Sequence, residues 1–205
     1  MSDLHTHTIA ESTLSLLHRL QKIPLFSELR LVGGTALALQ IGHRNSIDLD
    51  FFGTINFSRE ELELELKKNG LHISVKSESR LIKIAQREGV KVDFVDYSVP
   101  WLEPAIVSND LCLAGLKDIG AMKISAITGR GRKKDFIYLF FLLQRFKLEL
   151  MIEFYKQKYD TNPIFHVIRS LTYFDDAEED PQPKMYLPFN WEKAKKNIKE
   201  SVEEY

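Results

Sequence analysis

The chain has 205 residues, 44% of them hydrophobic and 28% charged, which is enough apolar material for a packed core and unlike a disordered chain. Lys and Arg number 28 against 29 Asp and Glu, so a net charge of −1 gives no whole-molecule attraction to nucleic acid and leaves that role to a local patch. The single cysteine, Cys112, excludes an internal disulfide and a cysteine-only zinc site, and it accords with a reducing compartment.

In chain order, MSDLHTHTIAEST lacks a basic start followed by an apolar stretch, so no signal peptide is expected. Ile9, Leu14 and Leu17 share a stripe that predicts a helix over Ile9–Leu20, ended by Pro24. Leu29–Val32 reads as a short strand leading into Gly33-Gly34, then Thr35–Ile41 as a helix capped by Gly42. Ser46–Phe52 alternates as a strand does. Ser58, with Glu61 as the capping-box acid, opens a helix over Arg59–Lys68. Leu71–Ser77, Arg80–Gln86 and Val90–Tyr97 read as three strands, the last two joined at Glu88-Gly89. Beyond Pro104 the pattern turns helical: Leu116–Thr128, Lys134–Phe146, Leu148–Tyr159, Pro163–Leu171, and after an acidic linker over Asp175–Pro183 a polar helix over Trp191–Tyr205. The longest apolar run, Phe136–Leu143, is of buried-helix length and far short of the ~20 residues of a membrane span. The expectation is a cytoplasmic α/β (α+β) protein: a mixed-sheet core over 1–104, followed by a C-terminal helical region over 105–205 packed on that core.

The chemistry concentrates in LVGGTALALQIGHRNSIDLDFF, residues 31–52. Period two along the strand puts Asp48 and Asp50 on one face, ~6.5–7 Å apart, with Ile47, Leu49 and Phe51 on the other. Such a pair among apolar residues calls for a cation, and hard divalent ions take one or two carboxylates plus phosphate oxygens. An Asp pair at a strand end can equally be a surface feature. Gly33-Gly34 lets backbone approach a ligand, and the helix start beyond it offers N–H groups, with the Thr35 hydroxyl, to a phosphate. A tight strand-to-helix turn explains the same residues. Arg44 can hold a phosphate or pair with an Asp, Ser46 lies in the same turn, and His43 can contact a substrate or cap carbonyls. A third carboxylate, Asp93, sits mid-strand in KVDFVDY; if this strand lies beside the first, the three acids can hold two metals ~3.5–4 Å apart and supply a base.

These residues together resemble the signature of the AbiEii/AbiGii toxin family of nucleotidyltransferases, within the DNA polymerase beta-like superfamily. The match runs through Gly42, His43, Arg44, Ser46, Asp48, Leu49, Asp50, Phe51 and Phe52, with Asp93 at the third-carboxylate position. It extends to a helical motif in AMKISAITGRGRKKDFIYLFFLL, through Met122-Lys123, Arg130-Gly131 and Lys134-Asp135-Phe136; where the family often has an acid three residues after this Asp, the chain has Tyr138. The tail YFDDAEEDPQPKM resembles the family's C-terminal region as well.

The resemblance implies a nucleotidyltransferase-like mixed sheet with flanking helices and a C-terminal helical bundle. It implies transfer of a nucleoside monophosphate from a nucleoside triphosphate, with Mg²⁺ or Mn²⁺, to an acceptor hydroxyl. Asp48 and Asp50 would bind metal and the α- and β-phosphates, and Asp93 the second metal and the acceptor proton. Gly33, Gly34 and Thr35, with Arg44 and Ser46, would seat the triphosphate. Lys123 and Arg130 would meet its charge, and Asp135 completes the motif, as a catalytic acid or as a partner of those cations. MenT-type relatives add nucleotides to tRNA 3′ ends, and others serve phage defence, so tRNA and a cognate antitoxin are the implied partners, with no membrane. The basic cluster Arg130, Arg132, Lys133 and Lys134 is the candidate RNA backbone contact. Two competing readings are an Asp-x-Asp glycosyltransferase and a catalytically silent nucleotide- or partner-binding member of the fold.

Overall fold

The computed structural model describes residues 3–159 and 163–205. The chain falls into two compact units, one built from the chain up to Ser98 with Ala105–Ala114, the other from Val99–Pro104 with Gly115–Tyr205.

In the first unit, α1 (Glu11–Gln21) and a 3-10 turn over Pro24–Phe26 precede β1 (Arg30–Val32). Helix α2 (Gly33–Ile41) follows and stops at Gly42, which caps it in the left-handed conformation. Then come β2 (Leu49–Gly53), α3 (Arg59–Lys68), β3 (Ser74–Glu78), β4 (Ile82–Arg87) and β5 (Val90–Asp96). The expected capping box forms: Ser58 Oγ accepts from the Glu61 N–H, and the Glu61 carboxylate accepts from the Ser58 N–H at 2.7 Å. Glu88 and Gly89 both take positive φ, as a tight hairpin turn requires.

The strand order is β3-β4-β5-β2-β1, completed by β7 (Leu111–Leu113) and β6 (Ile106–Ser108). Strand β2 runs parallel to β5 and antiparallel to β1, so the sheet is mixed. The register pairs Phe51 with Phe94. Their rings stack 5.6 Å apart on the buried face, and Phe26 tilts onto Phe94 at 4.9 Å. The β6–β7 hairpin had no period-two signal long enough to read. The expected boundary after Pro104 assigns it to the helical region, but Leu113 pairs with Leu31 and places it in the sheet. The strand expected over Ser46–Phe52 begins three residues late. The Ser46 N–H is spent on the Thr8 carbonyl and the Asp48 carbonyl on the Thr35 hydroxyl, so this stretch bonds away from the ladder and Ile47 is 54% exposed.

The second unit holds α4 (Leu116–Arg130), α5 (Lys133–Leu143), α6 (Leu148–Lys158), α7 (Ile164–Leu171) and α8 (Trp191–Glu204). Helix α5 is apolar almost all round because Phe136–Leu142 is buried throughout. Phe136, Phe174 and Trp191 form an aromatic cluster, with ring centroids 4.9 to 6.1 Å apart.

Ionic knots fasten the irregular segments of this unit. Lys158 and Asp118 are fully buried and 2.6 Å apart; Lys158 Nζ also donates to the Pro100 carbonyl, and Asp118 accepts from the Leu102 and Glu103 N–H groups. The knot fastens the segment 99–104 to α4 and α6. In another, the acidic stretch expected to be a solvated linker is docked. Asp180 pairs with Arg132, Lys133 Nζ donates to the Glu178 and Asp180 carbonyls, and Glu178 takes Lys195 and the Trp191 N–H. Hydrogen bonds from Lys195 first, then Trp191, hold the Glu178 carboxyl below the usual carboxylate range.

Removing one member of a buried pair strands the other, which costs about 3–5 kcal/mol, whereas apolar replacement of both is often neutral. Asp118→Ala should therefore lower unfolding stability by about that amount in a denaturant titration. The double variant Asp118→Leu, Lys158→Met should recover most of it. Equal stability of Asp118→Ala and the parent would show that the knot contributes nothing.

Candidate active site

The parallel pairing of β2 with β5 places Asp50 directly opposite Asp93. Strand alternation sends Leu49 and Phe51 into the core and turns Asp50 to the other, more open face. Val92 and Phe94 do the same for Asp93. In-register neighbours on adjacent strands are ~4.8 Å apart, so the two carboxylates share one patch. Asp48 precedes the strand and is exposed.

Asp93 is the mid-strand acid of β5. Its side chain is 15% exposed, and Oδ2 accepts from Lys91 Nζ at 2.5 Å. Its other oxygen, Oδ1, is buried without a hydrogen-bond partner among the described residues. Sequence reading passed over Lys91; its position two residues before Asp93, on the same strand face, was the available signal. Asp96, by contrast, is used structurally, accepting from the Ile55 N–H at 3.2 Å.

Gly33 follows β1, whose Val32 pairs with Asp50. Its φ is +70°, and a Cβ there would lie 2.2 Å from Asp50 Oδ2. Only glycine gives the carboxylate that room. Gly34 and Thr35 complete the first turn of α2. The Thr35 hydroxyl is committed inward: it donates to the Asp48 carbonyl and is hydrogen-bonded to the Ser46 hydroxyl at 2.8 Å. Thr35 thereby clamps the segment carrying Asp48 onto the start of α2. His43 and Arg44 are buried in the same segment, and Arg44 Nη1 donates to the Asn45 carbonyl.

This patch suits a hard divalent ion. Among the described residues no three His, Cys, Asp or Glu side chains close into a cage. An ion held by two carboxylates and completed by substrate phosphates needs none. Asp93 Oδ1, without a hydrogen-bond partner among the described residues, is the feature such an ion would use.

The remaining predicted residues gather in the second unit. Asp135 is fully buried; Lys123 Nζ lies 3.4 Å from its Oδ1, and Arg130 Nε donates to its Oδ2 at 3.1 Å. Lys123 is itself buried, its ammonium 4.2 Å from the centre of the Tyr138 ring. Tyr138 stands where the family often has an acid, and it gives this cation an aromatic face instead of a second carboxylate. Of the expected basic cluster, Arg130, Arg132 and Lys133 are all engaged with acids or carbonyls, while the Arg130 and Arg132 side chains, like Lys134, are exposed.

Residues 15–204 match the family model of the nucleotidyl transferase AbiEii toxin of type IV toxin–antitoxin systems. The protein aq_aa25 of Aquifex aeolicus is 33% identical over 194 residues, covering 92% of this chain and 93% of that one. The fold is similar to that of JHP933 from Helicobacter pylori, with a TM-score of 0.61 at 16% identity over 95% of this chain and 92% of that one. It is also similar to that of MenT4, a nucleotidyltransferase toxin from Mycobacterium tuberculosis, with a TM-score of 0.61 at 15% identity over 94% of this chain and 83% of that one. Among the described residues, no helix is long and apolar enough to cross a membrane. By the match along nearly its whole length, the chain belongs to the AbiEii family of nucleotidyltransferase toxins.

Proposed function

We propose that the sheet unit uses a divalent ion, Mg²⁺ or Mn²⁺, to transfer a nucleoside monophosphate from a nucleoside triphosphate to a hydroxyl of tRNA, as the toxin of a toxin–antitoxin or phage-defence pair. The observation that carries this reading is the Asp50–Asp93 pair, with Asp93 Oδ1 buried and unpartnered. A carboxylate oxygen kept out of water without a donor is destabilising, and it persists where something else is to use it. The tRNA acceptor rests on the resemblance to MenT-type relatives.

Asp50 and Asp93, with Asp48 at the strand entrance, are the residues that would hold the ion. Bound there, it would draw charge from the phosphoryl oxygens and acidify a hydroxyl beside it. The chain's own groups supply the rest. The first N–H groups of α2, at Gly33 and Gly34, face the triphosphate oxygens. Thr35 keeps Asp48 in place from behind, through the carbonyl and Ser46 contacts. The Asp93 carboxylate takes the proton of the acceptor hydroxyl. The acceptor oxygen then bonds the α-phosphorus as the α–β anhydride bond breaks, and pyrophosphate leaves. Asp135 acts as the positioning carboxylate that holds Lys123 and Arg130.

Asp50→Ala and Asp93→Ala should each reduce transfer of α-labelled nucleotide to bulk tRNA by about 100-fold or more, the scale of losing one group that stabilises developing charge. Asp93→Ala should unfold at the parent's temperature or above it, because it removes an unsatisfied buried oxygen. Parent-level transfer by either variant would sink the assignment. Binding of triphosphate without transfer by the parent protein would favour the silent-member reading. A chelator should abolish transfer, and Mg²⁺ or Mn²⁺ should restore it; transfer persisting in chelator would overturn the metal assignment.

Gly33→Ala should cost activity as fully as losing Asp50. The new Cβ must displace the Asp50 carboxylate, and the residue sits at a positive φ that disfavours a side chain. Full activity of that variant, measured in the same labelling assay, would show that Asp50 need not occupy its observed place.

A further inference from the structure

A polar cavity lies within the helical unit, formed where α7 and the turn after it face the end of α4. It measures about 310 Å³, near the lower bound of pockets that hold a nucleotide-sized ligand. Arg130, His166, Arg169, Ser170, Tyr173 and Asp176 line it. The catalytic carboxylates are not part of it, and no step described above uses it.

Its composition selects the ligand. Helix α7 buries Val167 and Leu171 and turns Phe165, His166 and Arg169 outward. Arg169 makes no ion pair among the described residues, although Asp176 lines the same cavity. Arg130 gives its Nε to Asp135, yet its side chain is 56% exposed. The cavity thus offers guanidinium donors with an imidazole and a hydroxyl beside them, which is phosphate chemistry. Tyr173 is 52% exposed on its rim, and Phe165 stands 71% exposed next to His166. Exposed rings beside arginines are stacking platforms for unpaired bases. Asp176 and Asp175 push the Tyr173 hydroxyl above its ordinary range, and the Asp176 carboxylate also accepts a hydrogen bond from it. Asp176 accepts only, which suits base amino groups and rejects the carbonyl edge of uracil.

We infer that this cavity holds one nucleotide of a single-stranded stretch of the acceptor RNA. Arg169 and His166 take its phosphate, Tyr173 stacks on its base, and Asp176 accepts from the amino group of cytosine, adenine or guanine. Phe165 stacks on the neighbouring base. This inference rests on an RNA acceptor; it adds where the strand is gripped, away from the chemistry, and which bases are preferred. The basic run around Arg132 and Lys133, bound up with the acidic stretch, is replaced by α7 as the RNA contact.

The test uses the full-length protein and fluorescein-labelled C12, A12 and U12 RNA, with binding read as anisotropy, alongside label transfer to bulk tRNA. Arg169→Ala and Tyr173→Ala should each weaken C12 binding by about 5- to 100-fold, the range measured for loss of a stacked base or a phosphate contact. They should raise KM for tRNA while leaving KM for the triphosphate and the thermal unfolding temperature unchanged. Asp176→Ala should erase the preference for C12 and A12 over U12. Parent-like RNA binding and KM in both variants, with transfer to tRNA intact, would overturn the cavity assignment and leave the acceptor reading standing. Absence of both RNA binding and transfer in the parent protein would overturn the two together. Displacement of C12 by free CMP at equal nucleotide concentration would make the ligand a free nucleotide and would also overturn the inference.

Discussion

The in-register pairing of β2 with β5 is the constraint from which the candidate site follows. Phe51 stacks on Phe94 beneath the sheet, and the same pairing sets Asp50 against Asp93 above it. A slip of one residue would turn a phenylalanine outward and an aspartate into the core, so the two outcomes are locked together. Aromatic pairing is worth about 0.5–1.5 kcal/mol beyond the area it buries. The larger effect is the exclusion of every register but one. The core residues thus position the polar ones without touching them, and Gly33 contributes by leaving the Asp50 carboxylate its space.

The helical unit applies a different rule to charge. Its acids and bases are largely consumed by one another: Lys158 with Asp118, Lys123 and Arg130 with Asp135, Arg132 with Asp180, and Lys133 with the carbonyls of the acidic stretch. Exposed pairs of this kind are worth little, but the buried ones are costly to break. A cluster that looks cationic in sequence is therefore offset by neighbouring acids and carbonyls at Arg130, Arg132 and Lys133. On α7, Arg169 makes no ion pair among the described residues and lies beside exposed rings. The sheet unit differs, keeping Asp93 Oδ1 buried and, among the described residues, without a hydrogen-bond partner.

Much of this was legible along the chain because the signals were local. Ser58 and Glu61 announced a helix start that forms as a capping box, and Glu88-Gly89 announced its turn. The period-two pattern around Asp93 gave its strand, and the motif residues gave the family. What could not be read was set by distant partners. The hairpin at 106–113 consists of two three-residue strands whose place is decided by Leu31, some eighty residues away. The start of β2 depends on Thr8 and Thr35 claiming the backbone of Ser46 and Asp48. Thr35 looked like a phosphate ligand from its position after two glycines; the structure shows its hydroxyl turned toward the protein. The docking of the acidic tail on Arg132 and Lys133 joins residues more than forty positions apart, and charge patterning alone cannot choose such partners.

The alternation of segments between the two units has a consequence for how this protein can be taken apart. The backbone leaves the sheet unit after Ser98, returns at Ala105 and leaves again after Ala114. Three covalent crossings therefore join the units, and no single cut separates them cleanly. A fragment ending at Pro104 lacks the hairpin and leaves β1 with an uncovered edge, an invitation to pairing with other chains. A fragment beginning at Gly115 leaves Asp118 and Lys158 without Pro100, Leu102 and Glu103, their buried backbone partners. Recombination could exchange these halves only by preserving all three junctions at once, so the interleaved chain constrains the two units to be inherited as one piece.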